Sequence, residues 1–371
     1  MKSLVILTFL WVFLSTPSLG KILTVSNNPD IKADYAGIQT AIEFSYSGDT
    51  IFVHGSPLNY GNIKVTKPLT IIGAGYNSNN PDGHSAKLLL IEFTNNLYHN
   101  TSSSNSTIQG FEFFFITGNK PGIITKPYGN HIISNITLQG NRIWNLNIQH
   151  PTSGWKIKNN IIHGQLNGGC KSETGKGGAN AFMITNNIIM NIKDFYQKNL
   201  FQNNVVMGEL TNISECTFLN NIFTYPQTLL TEVWNCTFRN NMTTHNNIGS
   251  ADCYLPHDDF KSLFNCLSKG NNIGANNIIG EDPSFVNLPK NKFDYSNDYQ
   301  LNPGSPGKNA GTDKKDLGIF GGPYPFPSWT EPSPIVLSFY KQPSSSSSPK
   351  EPVPENLPEY RSQAITRKDK D

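Results

Sequence analysis

Ile136-Thr-Leu-Gln-Gly-Asn141, Trp155-Lys-Ile-Lys-Asn-Asn160, Phe182-Met-Ile-Thr-Asn-Asn187, Asn199-Leu-Phe-Gln-Asn-Asn204, Cys216-Thr-Phe-Leu-Asn-Asn221 and Cys236-Thr-Phe-Arg-Asn-Asn241 are six versions of one phrase. Their closing asparagines stand 19, 27, 17, 17 and 20 residues apart. A unit this small cannot bury an apolar face alone, so the units must stack on one another. Aligned on the last asparagine, one column reads Leu138, Ile157, Ile184, Phe201, Phe218, Phe238, and two residues earlier another reads Ile136, Trp155, Phe182, Asn199, Cys216, Cys236. Polar or mixed residues alternate with these columns, which is the period of a strand with one buried face. A second apolar stretch starts directly after each asparagine. Strand, tight corner and strand at this spacing predict parallel strands wound into a solenoid, an all-β fold.

Asparagine suits such a corner because it tolerates the left-handed backbone region better than most residues. Stacked side-chain amides can also bond their counterparts one rung away, each link contributing roughly 0.5–1.5 kcal/mol net. Asn141, Asn160, Asn187, Asn204, Asn221 and Asn241 are therefore read as a structural ladder. The competing reading is of ordinary turn residues or glycosylation acceptors, since Asn135, Asn212, Asn235 and Asn241 begin Asn-X-Ser/Thr sequences.

Composition bounds the rest. Residues 1–20 combine Lys2, an apolar run from Leu4 to Leu14 and the small residues Ser18-Leu19-Gly20, which predicts a cleaved export signal. That run is too short to span a bilayer and no later segment is apolar enough, so no transmembrane span is expected after signal removal. Of the 29 basic residues the signal holds only Lys2, so 28 face the 27 acids, and this balance excludes a basic nucleic-acid footprint. Hydrophobic residues are 37% of the chain, in keeping with an elongated monomer with a thin core. The cysteines number five, so at least one lacks an intrachain partner. Cys216 and Cys236 are expected to stack, as a disulfide or as free thiols; Cys253 and Cys266, bracketing an insertion, are the better disulfide candidates.

Asp34 is a candidate N-cap for a short amphipathic helix through Ile38, Ala41, Ile42 and Phe44, which would cover the first rung. From there Asp34-Tyr-Ala-Gly-Ile-Gln-Thr-Ala-Ile42, Gly48-Asp-Thr-Ile-Phe-Val53 and Lys67-Pro-Leu-Thr-Ile-Ile-Gly73 resemble the opening of right-handed parallel β-helix proteins of the pectin-lyase-like superfamily. Asp282-Pro-Ser-Phe-Val286, Tyr299-Gln-Leu301, Gly304-Ser-Pro306, Asn309-Ala-Gly311 and Asp316-Leu-Gly318 are similar to the terminal rung of secreted bacterial members. The resemblance implies a single-stranded right-handed β-helix over residues 21–322, with a short N-terminal capping helix. Residues 323–371, rich in Pro and Ser, read as a disordered tail.

The superfamily contains enzymes and proteins without chemistry. Its hydrolases need paired carboxylates, and its lyases need acidic calcium ligands with a basic proton acceptor. Here the acids Glu92, Glu112, Glu173, Asp194, Glu209, Glu215 and Glu232 form no pair at repeated strand positions. The paired-aspartate and Gly-His-Gly patterns of polygalacturonases and the arginine-proline pattern of pectate lyases are missing. The expectation is therefore a secreted or cell-surface protein binding glycan or other envelope components without catalysis. The alternatives are a uronate lyase or related carbohydrate-active enzyme, for which alone calcium would be a cofactor, and an adhesin or structural surface protein.

Candidate binding residues are Lys156, Lys158 and Arg239, outward on repeat strands and able to pair with uronate carboxylates, and Trp144, whose ring can stack on a sugar. No catalytic residue is assigned. Cys253, His257, Asp258, Asp259 and Cys266 are too loosely spaced for a metal site, so no metal is expected. The glycine-rich stretch from Gly164 to Gly178 has the wrong order for a phosphate loop and reads as a loop thrown out from one rung.

Overall fold

The computed structural model describes residues 20–76, 83–113, 122–129, 131–148, 151–169, 178–224, 230–244, 272–288, 294 and 297–326. Residues 1–19 of the expected export signal, Cys253, Cys266, His257, Asp258, Asp259, Glu173 and residues 327–371 lie outside them.

The repeat folds as a parallel β-helix. Among the described residues, sheet A has eleven parallel strands: Ile22–Val25, Thr50–Val53, Thr70–Gly73, Thr107–Gln109, Thr137–Gln139, Lys156–Lys158, Met183–Thr185, Leu200–Gln202, Thr217–Leu219, Thr237–Arg239 and Ile273–Ala275. Sheet B holds two runs of strands. One follows each asparagine corner, as in Arg142–Ile143, Val205–Val206 and Ile222–Phe223. The other lies further along each coil, as in Leu90–Phe93, Asn145–Asn147 and Leu210–Ser214. The long strands Ile161–Asn167 and Ile188–Phe195 run through both, with a register shift between Ile162 and Gln165 where the sheet bends. The three-stranded sheet of Ile133–Ser134, Thr152–Ser153 and Ala179–Asn180 leads each coil back to sheet A.

Registration is residue-for-residue. Leu138, Ile157, Ile184, Phe201, Phe218 and Phe238 are successive partners, all fully buried. Rings stack through the interior, within this column as Phe201 on Phe218 at 4.7 Å and Phe218 on Phe238 at 4.6 Å, and in the neighbouring one as Trp155 on Phe182 at 5.4 Å. These spacings are about one inter-strand step, so parallel rings meet without adjusting the backbone. Trp155 is a core residue whose Nε1 donates to Ile133 O at 2.9 Å.

The two asparagines of each corner divide the work. The first takes the left-handed conformation: Asn159, Asn186, Asn203, Asn220, Asn240 and Asn276 have φ between 50° and 57°, and glycine fills the same place at Gly110 and Gly140. The second turns inward. Asn187 N and Nδ2 both donate to Asn204 Oδ1, at 2.9 and 3.0 Å, and its Nδ2 also reaches Ile157 O at 2.8 Å. The same pattern links Asn141, Asn160, Asn187, Asn204, Asn221, Asn241 and finally Asn277. Asn241 is wholly buried in this line, which removes it as a glycosylation acceptor.

Three local expectations are corrected. The helix spans Ile38–Phe44 with Gly37 at its N-cap; Asp34 Oδ2 instead accepts Thr24 N and Oγ1, both at 2.8 Å, fastening the loop to the first strand. Ile38, Ala41 and Ile42 are buried, whereas Phe44, off that face, is exposed and stacks on Tyr35. In the glycine-rich stretch, Gly164 to Asn167 are strand and Gly168 N still donates to Lys193 O at 2.9 Å, while residues 170–177 of the expected loop lie outside the described residues.

The chain after Asn302 folds back along the helix as an arm. The residue directly after each corner points outward, and among the described residues it is apolar in six coils: Ile161, Ile188, Val205, Ile222, Met242 and Ile278. Leu317, Ile319 and Phe326 of the arm, with Tyr299 and Leu301, bury this strip. The first corner asparagines hold the arm's backbone. Asn159 Nδ2 donates to Tyr324 O at 2.9 Å, Asn186 Nδ2 to Ile319 O and Gly321 O at 2.9 and 2.8 Å, and Asn240 Nδ2 to Ala310 O at 2.8 Å. Gly322 (φ +69°) permits this approach, since a Cβ there would lie 2.5 Å from Asn203 Oδ1. Residues 323–326, placed in the tail by composition, are thus part of the folded body.

Asn186→Gly keeps the left-handed corner but deletes both arm bonds. Losing about 1–2 kcal/mol should raise tryptic cleavage at Lys314 and Lys315 roughly five- to thirtyfold in limited proteolysis, with the overall β-sheet signal unchanged.

Candidate functional site

Two surfaces carry the chemistry. The first is the outward face of sheet A. Its exposed positions alternate with the core columns, so strand registration dictates which side chains meet. Lys156 stands between Thr137 and Met183, and Lys158 between Gln139 and Thr185. Arg239 stands between Leu219 and Ala275. Lys158 and Arg239 occupy the same column, four strands apart, which separates them by roughly 19 Å along the helix. The outward positions from Thr107 to Ala275 include these three cations and no acid. Among the described residues, Lys156, Lys158 and Arg239 make no ion pair. Lys158 Nζ instead sits 4.8 Å above the ring of Tyr324, at the end of the arm. Burial, and then the neighbouring Lys156 charge, hold the Lys158 ammonium below the usual lysine range.

The second surface lies past the arm's last described residue. In the column after the asparagine corner, the apolar residues under the arm give way to Lys87, Glu112 and Arg142. Arg142 Nη1 donates to Glu112 Oε1 at 2.6 Å, with side-chain exposures of 28% and 15%. Ser85 Oγ donates to Glu112 Oε2 at 2.6 Å. Arg142 Nε donates to His163 Nε2 at 2.8 Å, and the His163 ring lies against Trp144, centroids 5.9 Å apart and planes 17° apart. Trp144 is 37% exposed. Burial, and then the adjacent guanidinium, push His163 down to about 4, so its imidazole is neutral at ordinary pH and accepts the Arg142 N–H.

Of the residues singled out from sequence, Lys156, Lys158 and Arg239 share one face and Trp144 stands on the other. Ser85, Glu112, Arg142 and His163 were missed: they come from four coils, and no local pattern joins them. The other acids stay scattered: Glu92 faces Lys64 at 3.4 Å, and Asp194 accepts Asn212 Nδ2 at 2.7 Å. Cys216 and Cys236 are buried free thiols in the interior column. Burial drives the Cys216 thiol up, so it is inert as a nucleophile. Among the described residues, no three His, Cys, Asp or Glu side chains gather as a metal site, and no helix is long and apolar enough to cross a membrane.

No family model and no curated protein matches the chain. Among solved structures it is similar to a rhamnogalacturonan lyase, at 9% identity and a TM-score of 0.33, over 76% of this chain and 97% of that one.

A histidine with a depressed folded-state value binds its proton more readily when unfolded. Stability is therefore full above the unfolded value near 6.5, falls as pH drops below it, and levels off below about 4. The loss should total about 3 kcal/mol, at up to about 1.4 kcal/mol per pH unit. His163→Gln, which retains an acceptor but does not titrate, should flatten this limb in denaturant melts between pH 7 and 4.

Proposed function

We propose that this protein is an exported or cell-surface β-helix that binds an anionic glycan along the outward face of sheet A, without chemistry. One observation carries the reading: Lys156, Lys158 and Arg239 share a flat sheet face that presents no carboxylate. Burial first, and then repulsion from the neighbouring Lys156, hold Lys158 below the usual lysine range. An anionic ligand would relieve that repulsion, gaining Coulomb energy at partly desolvated groups without first breaking a protein salt bridge. The spacing along a rigid sheet suits an extended polymer rather than a small molecule, because each strand step repeats the same geometry. The Thr and Gln side chains beside the cations supply neutral hydrogen-bonding partners for hydroxyl groups. Export, read from residues 1–20, would put this face where extracellular or envelope glycans occur.

Retention on an immobilised uronate polymer is the test. The wild-type protein should be retained at low salt and released as ionic strength rises. Lys156→Ala/Lys158→Ala and Arg239→Ala should each weaken binding about three- to tenfold, with thermal stability within about 1 kcal/mol of wild type. Unchanged retention in the combined triple variant would overturn the reading. So would absorbance from unsaturated uronate products, with or without calcium, which would establish a lyase instead.

A further inference from the structure

The end of the arm reaches the cationic face of sheet A. We infer that Tyr324 is a positioning residue for ligand binding on that face: its ring holds the Lys158 ammonium in place without neutralising it, so the docked arm is a working part of the surface.

The arm's course brings the ring there. Asn240, Asn220, Asn203, Asn186 and Asn159 bond Ala310, Thr312, Gly318, Gly321 and Tyr324 in turn. Each of these asparagines directly follows a residue of one outward column of sheet A: Arg239, Leu219, Gln202, Thr185 and Lys158. The arm therefore flanks the column that carries two of the three cations, and Tyr324 lies at its Lys158 end. Its backbone is held on both sides. Asn159 Nδ2 donates to Tyr324 O at 2.9 Å, and Phe326 N donates to Ile319 O at 2.8 Å, closing a loop whose Phe326 side chain is buried. Within that loop Lys315 Nζ reaches Gly322 O at 3.1 Å. The ring is thus placed by the same contacts that dock the arm.

The chemistry of the partner matters as much as its place. Lys64 faces Glu92 at 3.4 Å and Lys308 faces Asp316 at 2.7 Å, so each of these ammoniums is balanced by a carboxylate. An anionic ligand would have to displace that acid first. Lys158 Nζ lies instead 4.8 Å from the centroid of the Tyr324 ring. An aromatic face attracts a cation through its quadrupole and leaves the ammonium its charge and its N–H donors. A lysine side chain loses rotamer freedom when it grips a ligand, and one already held by a ring loses less. Among the described residues, Lys156 and Arg239 have no such ring beside them, so the effect of Tyr324 should run through Lys158 alone.

The inference rests on the reading of sheet A as an anionic-glycan face, and two measurements on the full-length protein separate their failures. Without ligand, the Lys158 ε-methylene protons should resonate upfield of those of other lysines because of the ring, and Tyr324→Leu should return them to the common position. Calorimetric titration with a uronate oligosaccharide reads the ligand. Tyr324→Leu should weaken binding about two- to fivefold, whereas Tyr324→Phe, which keeps the ring, should weaken it less than about 1.5-fold. In a Lys158→Ala background, Tyr324→Leu should have no further effect, whereas a purely structural loss would persist there. Wild-type binding that Tyr324→Leu leaves unchanged, or weakens equally in the Lys158→Ala background, overturns the inference and spares the reading. Lys158 resonances at the common position in the unaltered protein do the same. Absence of wild-type binding overturns the reading and the inference with it.

Discussion

The corner asparagine pair is the constraint on which the rest of the structure depends. Its first member absorbs a left-handed backbone bend; its second satisfies buried amides on the coils to either side. Each bond contributes modestly, but an unmet buried donor or acceptor costs about 1–3 kcal/mol, so any slip in registration would leave several groups unpaired at once. This explains how a chain with 37% hydrophobic residues holds a long, thin core. The interior is apolar along the sheets and amide-lined at the corner, and both parts need the same one-residue register.

The outer asparagines extend the same logic to the arm. Where the corner opens with asparagine, the side chain is available to hold the returning chain, as at Asn159, Asn186 and Asn240. Where it opens with glycine, as at Gly110 and Gly140, the left-handed bend remains but no side chain reaches outward. The choice between asparagine and glycine at one position therefore decides whether the corner offers a side chain to a returning segment. The scaffold imposes rigid spacing, so the cations on sheet A keep fixed separations.

Much of the fold was legible because strand alternation has period two and the closing asparagines recur, so columns align without reference to distant contacts. What was hidden has identifiable causes. Asn277 continues the ladder, but it lies 36 residues beyond Asn241, across an insertion that breaks the rhythm. The apolar doublets, such as Ile161-Ile162 and Ile188-Ile189, were visible as a second strand, but that their outward member is covered shows only in the folded arm. Residues 323–326 were assigned to the tail because Pro-rich composition reports poor core-forming ability, not whether a preformed strip awaits. Arg142 and Glu112 are 30 residues apart, and Arg142 and His163 are 21 apart, so their pairing depends on coil lengths that vary along the chain. Lys156, Lys158 and Arg239 were simpler, since one sheet and one alternation place all three.

Backbone hydrogen exchange in Asn204→Ala tests the registration most directly. The Asn187 amide donates to Asn204 Oδ1, whereas the Asn221 amide donates to Asn241 Oδ1. Removing the Asn204 side chain should sharply accelerate exchange at Asn187 while leaving Asn221 protected to nearly its wild-type level. Equal protection at both amides, or fast exchange at both in the unaltered protein, would contradict an inward line of amides joining coil to coil.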